Sequence, residues 1–279
     1  MKKIYVVNLK GEKELFSLAK VFRSARRAGA SKDLAQKVAR QIEKSIYPGI
    51  KTSEIFKKVN QFLKKEDKGS SLRFNLKEAM KKMGPSGFPF EKYIGDIFSA
   101  HGYDVSLNRK IKGKFAVHEI DFLARDSKTL YIGECKYRTY PGERIDLAIV
   151  LGVYAKFLDL KGGNYFRLPK SVELKPMMVT NAKFSSQAIR YAKGVGVGLL
   201  GWKYPLNRGL ETMIEKEQLY PITILPSLKR YLVEPCSQAK LMLAKDVLEE
   251  NPDKIAEIIG VERNRILPLI SEAKILLGS

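Results

Sequence analysis

A chain of 279 residues, 44% of them hydrophobic, can hold two or three domains with real cores, which excludes a disordered chain, and no apolar run approaches the length of a membrane helix. The 51 Lys and Arg against 30 Asp and Glu give a net charge of +21, for which the natural partner is a polyanion, most commonly nucleic acid rather than a membrane. Two cysteines and two histidines exclude a clustered zinc framework and a disulfide scaffold, and Met1-Lys2-Lys3 leads into no signal-peptide pattern, so a cytoplasmic protein is expected.

Ile4 to Asn8 reads as a short strand, and Gly11 turns the chain. Apolar residues at Leu15, Phe16, Ala19, Phe22 and Ala25 predict a helix over 13–28 with Gly29 as its stop. Ser31 caps a second helix running to Pro48-Gly49, Thr52 a third reaching Lys64-Lys65, and a fourth spans Leu72 to Met83. Residues 1–83 are thus expected to form a strand-plus-helices domain. Gly11-Glu12, Phe16, Lys20, the Ala28-Gly29-Ala30-Ser31 joint and the Gly49 to Ile55 phrase resemble an ATP-cone, the regulatory module at the N-terminus of ribonucleotide reductases that is also fused to some Mrr-like nucleases. That resemblance implies ATP or dATP as an effector, with Lys20 on phosphates and Lys10 displaced by one or two positions from the basic residue that precedes the glycine turn. A helical domain that only packs or binds DNA is the alternative.

Gly84-Pro85-Ser86-Gly87-Phe88-Pro89 is a breaker cluster and the first boundary. Beyond it Phe90, Tyr93, Ile94, Ile97 and Phe98 make a helical stripe that stops at Gly102, with Glu91 at its margin. Phe115 to Ala124 and Thr129 to Tyr137 read as two strands joined by the turn Arg125-Asp126-Ser127-Lys128. On strict alternation Glu119 and Asp121 share one face of the first strand, Glu134 and Lys136 one face of the second, and Cys135 points the other way into apolar packing. Two readings fit this spacing. One is a surface hairpin with cross-strand ion pairs. The other is a desolvated site in which Asp121 and Glu134 hold Mg²⁺ and Lys136 orients the attacking water.

Pro141-Gly142 breaks the chain, and a helix over 145–158 follows with Leu147, Val150, Leu151, Tyr154, Phe157 and Leu158 expected to face inward. Met177 to Thr180 reads as a strand, Ser185 to Ala192 as a helix and Val195 to Trp202 as a strand, a βαβ unit of right-handed crossover. Gly196-Val197-Gly198-Leu199-Leu200-Gly201 fits G-x-G-x-x-G literally but lies inside the last strand, where it cannot cradle a dinucleotide. After Pro205 the chain is mostly helical. Pro252 to Ile259, Gly260-Val261 and Glu262 to Leu276 read as a helix–hairpin–helix or as a plain packing or dimerisation domain.

Asp121 with Glu134-Cys135-Lys136 resembles the core of the PD-(D/E)xK nuclease superfamily. Together with Gly87 to Glu91, Gly102 to Val105, His118 to Asp121 and Tyr137, the stretch from Gly84 to Trp202 looks like its Mrr-type restriction endonuclease branch, which has archaeal Holliday-junction resolvases as relatives. The resemblance implies an α/β fold: a mixed-sheet restriction-endonuclease-like core (84–204) flanked by the ATP-cone-like domain (1–83) and a C-terminal helical domain (205–279). It implies a metal-dependent endodeoxyribonuclease with Asp121, Glu134 and Lys136 catalytic, Glu91, Asp121 and Glu134 ligating Mg²⁺ or Mn²⁺, and His118, Glu119 and Tyr137 supporting them. Duplex or branched DNA is the expected partner, and two-strand cutting would call for a homodimer. A DNA-binding protein that keeps the fold without cutting, and an ATP- or dATP-sensing regulator, are the alternatives.

Overall fold

The first elements are a hairpin of β1 (Tyr5–Val7) and β2 (Lys13–Leu15), antiparallel with Tyr5 opposite Leu15, in a computed structural model that describes residues 3–84, 88–140 and 142–278. Lys13, Glu14 and Leu15 therefore do not begin the helix expected over 13–28. It starts only where the Ser17 hydroxyl accepts the Lys20 N–H, giving α1 (Leu18–Arg27). Ser31 caps α2 (Lys32–Lys44) as expected, but that helix ends short of Pro48-Gly49, whose glycine N–H instead bonds the Tyr5 carbonyl. In α3 (Thr52–Glu66) Thr52 is the first helical residue and supplies no side-chain cap. The helix expected from Leu72 to Met83 is two: α4 (Lys68–Phe74) and α5 (Leu76–Lys81), parted at Asn75, whose amide donates to the Ser71 carbonyl at 2.7 Å and to Asn60 at 3.0 Å. Val21, Ala25, Val38, Ile42, Val59 and Leu63 form the core of this segment.

Next come α6 (Phe88–Ala100), β3 (Asp104–Lys112), β4 (Val117–Arg125), β5 (Thr129–Cys135), β6 (Arg144–Ile145), α7 (Leu147–Gly162), β7 (Glu173–Val179), β8 (Lys183–Phe184), α8 (Ser186–Val195), β9 (Gly198–Leu200) and α9 (Leu210–Lys216). Five strands form one mixed sheet in the order β3-β4-β5-β7-β9, antiparallel from β3 to β5 and parallel from β5 to β9. β4 and β5 are the expected hairpin, closed by Asp126, whose carboxylate accepts the N–H groups of Lys128 and Thr129. β3 was not expected from the sequence, because charges at Arg109, Lys110 and Lys112 mask its alternation. Gly133 belongs on β5 for want of room: a Cβ there would collide with the Phe122 ring beside it.

The inward face of α7 is Val150, Val153, Phe157 and Leu160, while Leu151 and Leu158 are exposed, contrary to expectation. The buried stripe follows i, i+3, i+7, i+10, and the apolar residues on the far flank simply remain in solvent. Ser185 caps α8, and Gly196 ends it in the left-handed region at φ 78° rather than lying within a strand, while Gly198 starts β9. None of these glycines stands in a strand-to-helix turn. Pro85, Ser86 and Gly87 of the first breaker cluster and Pro141 of the later break lie outside the described residues.

The C-terminal segment contains α10 (Val233–Gln238), α11 (Asp246–Glu249), α12 (Pro252–Ile259) and α13 (Arg263–Leu277). Gly260 at φ 71° turns α12 into α13, the hairpin the sequence indicated, and α13 continues through Pro268. The three segments expected from the sequence group as two compact units, 83–219 and the two termini, 1–82 with 220–279. Arg73 explains the second grouping: its guanidinium donates to the Ala28 carbonyl at 2.8 Å and to Leu276 at 2.6 Å, and the Thr223 hydroxyl donates to Ala79 at 2.9 Å. α9 stays with the sheet through backbone bonds from Leu210 to Gly201 and Glu211 to Trp202. Among the described residues no helix is long and apolar enough to cross a membrane.

Candidate active site

Four carboxylates and two lysines from α6, β4, β5 and α7 influence one another in the sheet-containing unit. Asp121 is half-buried on β4 and its Oδ2 accepts the Cys135 N–H at 2.6 Å. Burial pushes its pKa up to about 7, the nearby Glu134 adds to the rise, and the Cys135 N–H only partly offsets it. Glu91, in the first turn of α6, is also raised, first by burial and then by Glu119 and Glu134, with Lys136 opposing. Cys135 is buried as expected, with its thiol pushed well up by burial.

Strict alternation does not hold along β4. His118 and Ile120 face α7, since His118 meets Asp159 and Ile120 packs with Phe157 and Leu160. Phe122 instead stacks on Phe98 of α6, and it is Leu123 that joins the α7 cluster. The pairing of β3 with β4 runs through Leu107–Phe122 and Arg109–Ile120 but skips Asn108 and Asp121, and Asn108 has φ 51°. Asn108 and Asp121 are thus both left out of the β3–β4 ladder, and the sheet is irregular at the site residue.

Lys136 is set by its surroundings on three sides. Its N–H bonds the Val179 carbonyl at 2.8 Å, its carbonyl accepts the buried Thr180 hydroxyl at 2.6 Å, and Asn181 pairs with both backbone groups of Arg138 at 2.8 and 2.9 Å. Thr180 and Asn181 thus position the lysine, a role that the sequence pattern did not reveal.

Lys156 on α7 was also missed. Its ammonium lies 2.6 Å from Glu134 Oε2 and 3.0 Å from the Glu119 carbonyl. A signal existed: Lys156 stands three residues after Val153 and four before Leu160, so it borders the buried stripe. Of the expected supporting residues, Glu119 is close enough to act on Glu91, whereas His118 pairs with Asp159 at 2.7 Å and Tyr137 packs its ring 5.7 Å from Phe90. The expected closed set of Glu91, Asp121 and Glu134 is not formed: among the described residues no three His, Cys, Asp or Glu side chains come within joint reach of one metal ion. In the other unit Lys10 sits in the exposed β1–β2 turn, where Asn8 Oδ1 accepts its N–H, and the Lys20 ammonium is 3.9 Å from Glu14.

The family model for the C-terminal part of AF1548-like proteins matches residues 220–277. An uncharacterized protein of Archaeoglobus fulgidus is 32% identical over 182 residues, which make up 65% of this chain and 98% of that one. The crystal structure of a protein of unknown function, AF1548, superposes with a TM-score of 0.60 at 30% identity, covering 70% of this chain and all of that one. The chain belongs to the AF1548-like family. The MspJI restriction endonuclease, solved in complex with a 27-mer oligonucleotide, reaches only a TM-score of 0.34 at 15% identity over 73% of this chain and 40% of that one, too little to define either fold or function.

Proposed function

We propose that this chain is a Mg²⁺- or Mn²⁺-dependent endonuclease that hydrolyses DNA phosphodiester bonds, on a restriction-endonuclease-like fold of the PD-(D/E)xK kind. One observation carries the reading: Asp121 and Glu134 lie on adjoining strands close enough to interact, burial first and Glu134 second push the Asp121 pKa up to about 7, and Lys136 follows Glu134 by two positions. Half-buried carboxylates that repel each other are a site for a hard cation, because a cation removes the repulsion that burial magnifies. The donor set fits such an ion in kind: oxygen ligands from Asp121 and Glu134, with Glu91 nearby. When bound, the cation supplies a polarised phosphodiester and a water of lowered pKa.

The protein's own groups have separate tasks. Lys136, held by Thr180 and the Val179 carbonyl, orients the attacking water or neutralises the charge that builds on the phosphate. Lys156 keeps the Glu134 carboxylate in place and balances its charge. The surplus of 51 basic over 30 acidic residues holds the DNA backbone, so affinity falls steeply with salt.

The test is incubation with plasmid, linear, branched and methylated DNA in Mg²⁺ or in EDTA. Glu134→Ala and Lys136→Ala are expected to lower cleavage at least about a thousandfold while DNA binding survives. Cleavage that persists in both variants would refute the assignment.

A further inference from the structure

The tip of the β3–β4 hairpin has a composition and a rigidity that the carboxylate cluster does not explain. Phe115 is 84% exposed and Val117 65%, an aromatic and an aliphatic side chain presented together to solvent. Around them residues 109–117 carry Arg109, Lys110, Lys112 and Lys114 and no acid. All four cations are exposed, and Lys114 lies over the Phe115 ring at 5.0 Å from its centre. Among the described residues no carboxylate pairs with Arg109, Lys110, Lys112 or Lys114.

A loop of this kind is ordinarily mobile. Here it is clamped. Asp159 of α7 accepts the N–H groups of Phe115 at 2.9 Å and Ala116 at 3.2 Å, and its Oδ2 lies 2.7 Å from His118 Nε2. The Asp159 carbonyl accepts the Lys114 N–H at 2.9 Å, and the Gly113 N–H closes onto Ala116 at 2.7 Å. Gly113 is needed because a Cβ there would meet the Asp159 carboxylate. The clamp thus commits one half-buried acid, a histidine and a glycine to fixing the place where Phe115 stands.

The clamp also ties the tip to the candidate active site. Asp159 follows Lys156 by three residues on α7, so one helical turn joins the group that pairs with Glu134 to the group that holds the tip.

We propose that Phe115 is a fixed stacking platform for an unstacked base of the nucleic acid engaged at the carboxylate cluster, with Arg109, Lys110, Lys112 and Lys114 on the flanking phosphates. Every base offers a π-face and every link a negative charge, so an aromatic ring within a cationic rim matches this ligand without reading sequence. Presenting the ring in advance removes the ordering cost a flexible loop would pay on binding. The substrate class follows: DNA with a gap, flap, mismatch or junction, where a base leaves its stack at little cost, is bound more tightly than continuous duplex. This rests on the nuclease reading for the choice of ligand, but its test does not require cleavage.

Fluorescence anisotropy in EDTA, with labelled continuous duplex and the same duplex carrying a single-nucleotide gap, compares the whole chain with Phe115→Ala and Phe115→Trp. Phe115→Ala is expected to weaken binding to gapped DNA about tenfold or more and to continuous duplex by no more than about twofold, while Phe115→Trp keeps the wild-type preference. In Phe115→Trp the emission of the new indole is expected to be quenched by gapped DNA. Phe115→Ala that binds both DNAs like the wild type overturns the proposal, and so does an equal loss on both. If the gapped-DNA preference depends on Phe115 but no DNA is ever cut, the platform stands and the nuclease reading falls.

Discussion

Two carboxylates of the sheet-containing unit, Asp159 and Asp121, are placed in opposite electrostatic conditions. Asp159 is held below the usual carboxylate range, first by the hydrogen bond with His118 and then by the N–H groups of Phe115 and Ala116. Asp121 is pushed up to about 7 by burial and by Glu134, with the Cys135 N–H and the Lys156 charge opposing them only in part. Around Asp159 the protein closes its own polar accounts and so fixes a loop. Around Asp121 it leaves negative charge crowded, the condition that the proposed cation would relieve.

Removing the crowded charge is the strongest way to sharpen this contrast. Because the folded pKa of Asp121 lies above the unfolded value of 3.8, the folded chain holds the extra proton between the two. Stability therefore falls as pH rises from about 4 to about 7, and the full cost is present above that window. Asp121→Asn should stabilise the protein by about 1–3 kcal/mol at pH 8 and hardly at all at pH 4, as urea unfolding at the two pH values would reveal. An equal gain at both would mean that Asp121 does not carry the charge assigned to it. The same substitution should abolish cleavage, so stability and activity are expected to move in opposite directions.

A smaller effect is expected from the cation itself. Mg²⁺ or Mn²⁺ at about 10 to 100 times its dissociation constant should add about 1.4–2.7 kcal/mol to the unfolding free energy at pH 8. It should add less at pH 5, where Asp121 is protonated, and nothing in Asp121→Asn. A gain that is independent of pH would place the ion elsewhere.

The smallest effect concerns the clamp. The lowered folded pKa of Asp159 means that its contribution is present above the unfolded value of 3.8 and is lost as pH falls through the folded one. Asp159→Asn should lower the thermal midpoint at pH 7 and flatten its decline on the acid side, the reverse of the Asp121 behaviour. Thermal scans at pH 7 and pH 3 decide this, and a midpoint unchanged at pH 7 would show that the clamp adds no stability.

The local half of this picture was written in the chain. The β4–β5 hairpin, the Asp126 turn, the Ser31 and Ser185 caps and the Glu134-Cys135-Lys136 order all follow from residues within a few positions of one another, because caps, turns and alternation are short-range properties. The irregularity at Asn108 and Asp121 could not be read, since a positive φ at an asparagine is permitted by its side chain but not required by it. Nor could Lys156, which meets Glu134 across 22 residues, or Asp159, which meets His118 across 41. Spacing on α7 says only which side chains share a face, and the strand that this face covers is decided by packing. Sequence by itself thus determined which acidic and basic groups were available and on which elements. Tertiary structure decided which of them became neighbours, because burial and pairing are properties of contacts between segments far apart along the chain.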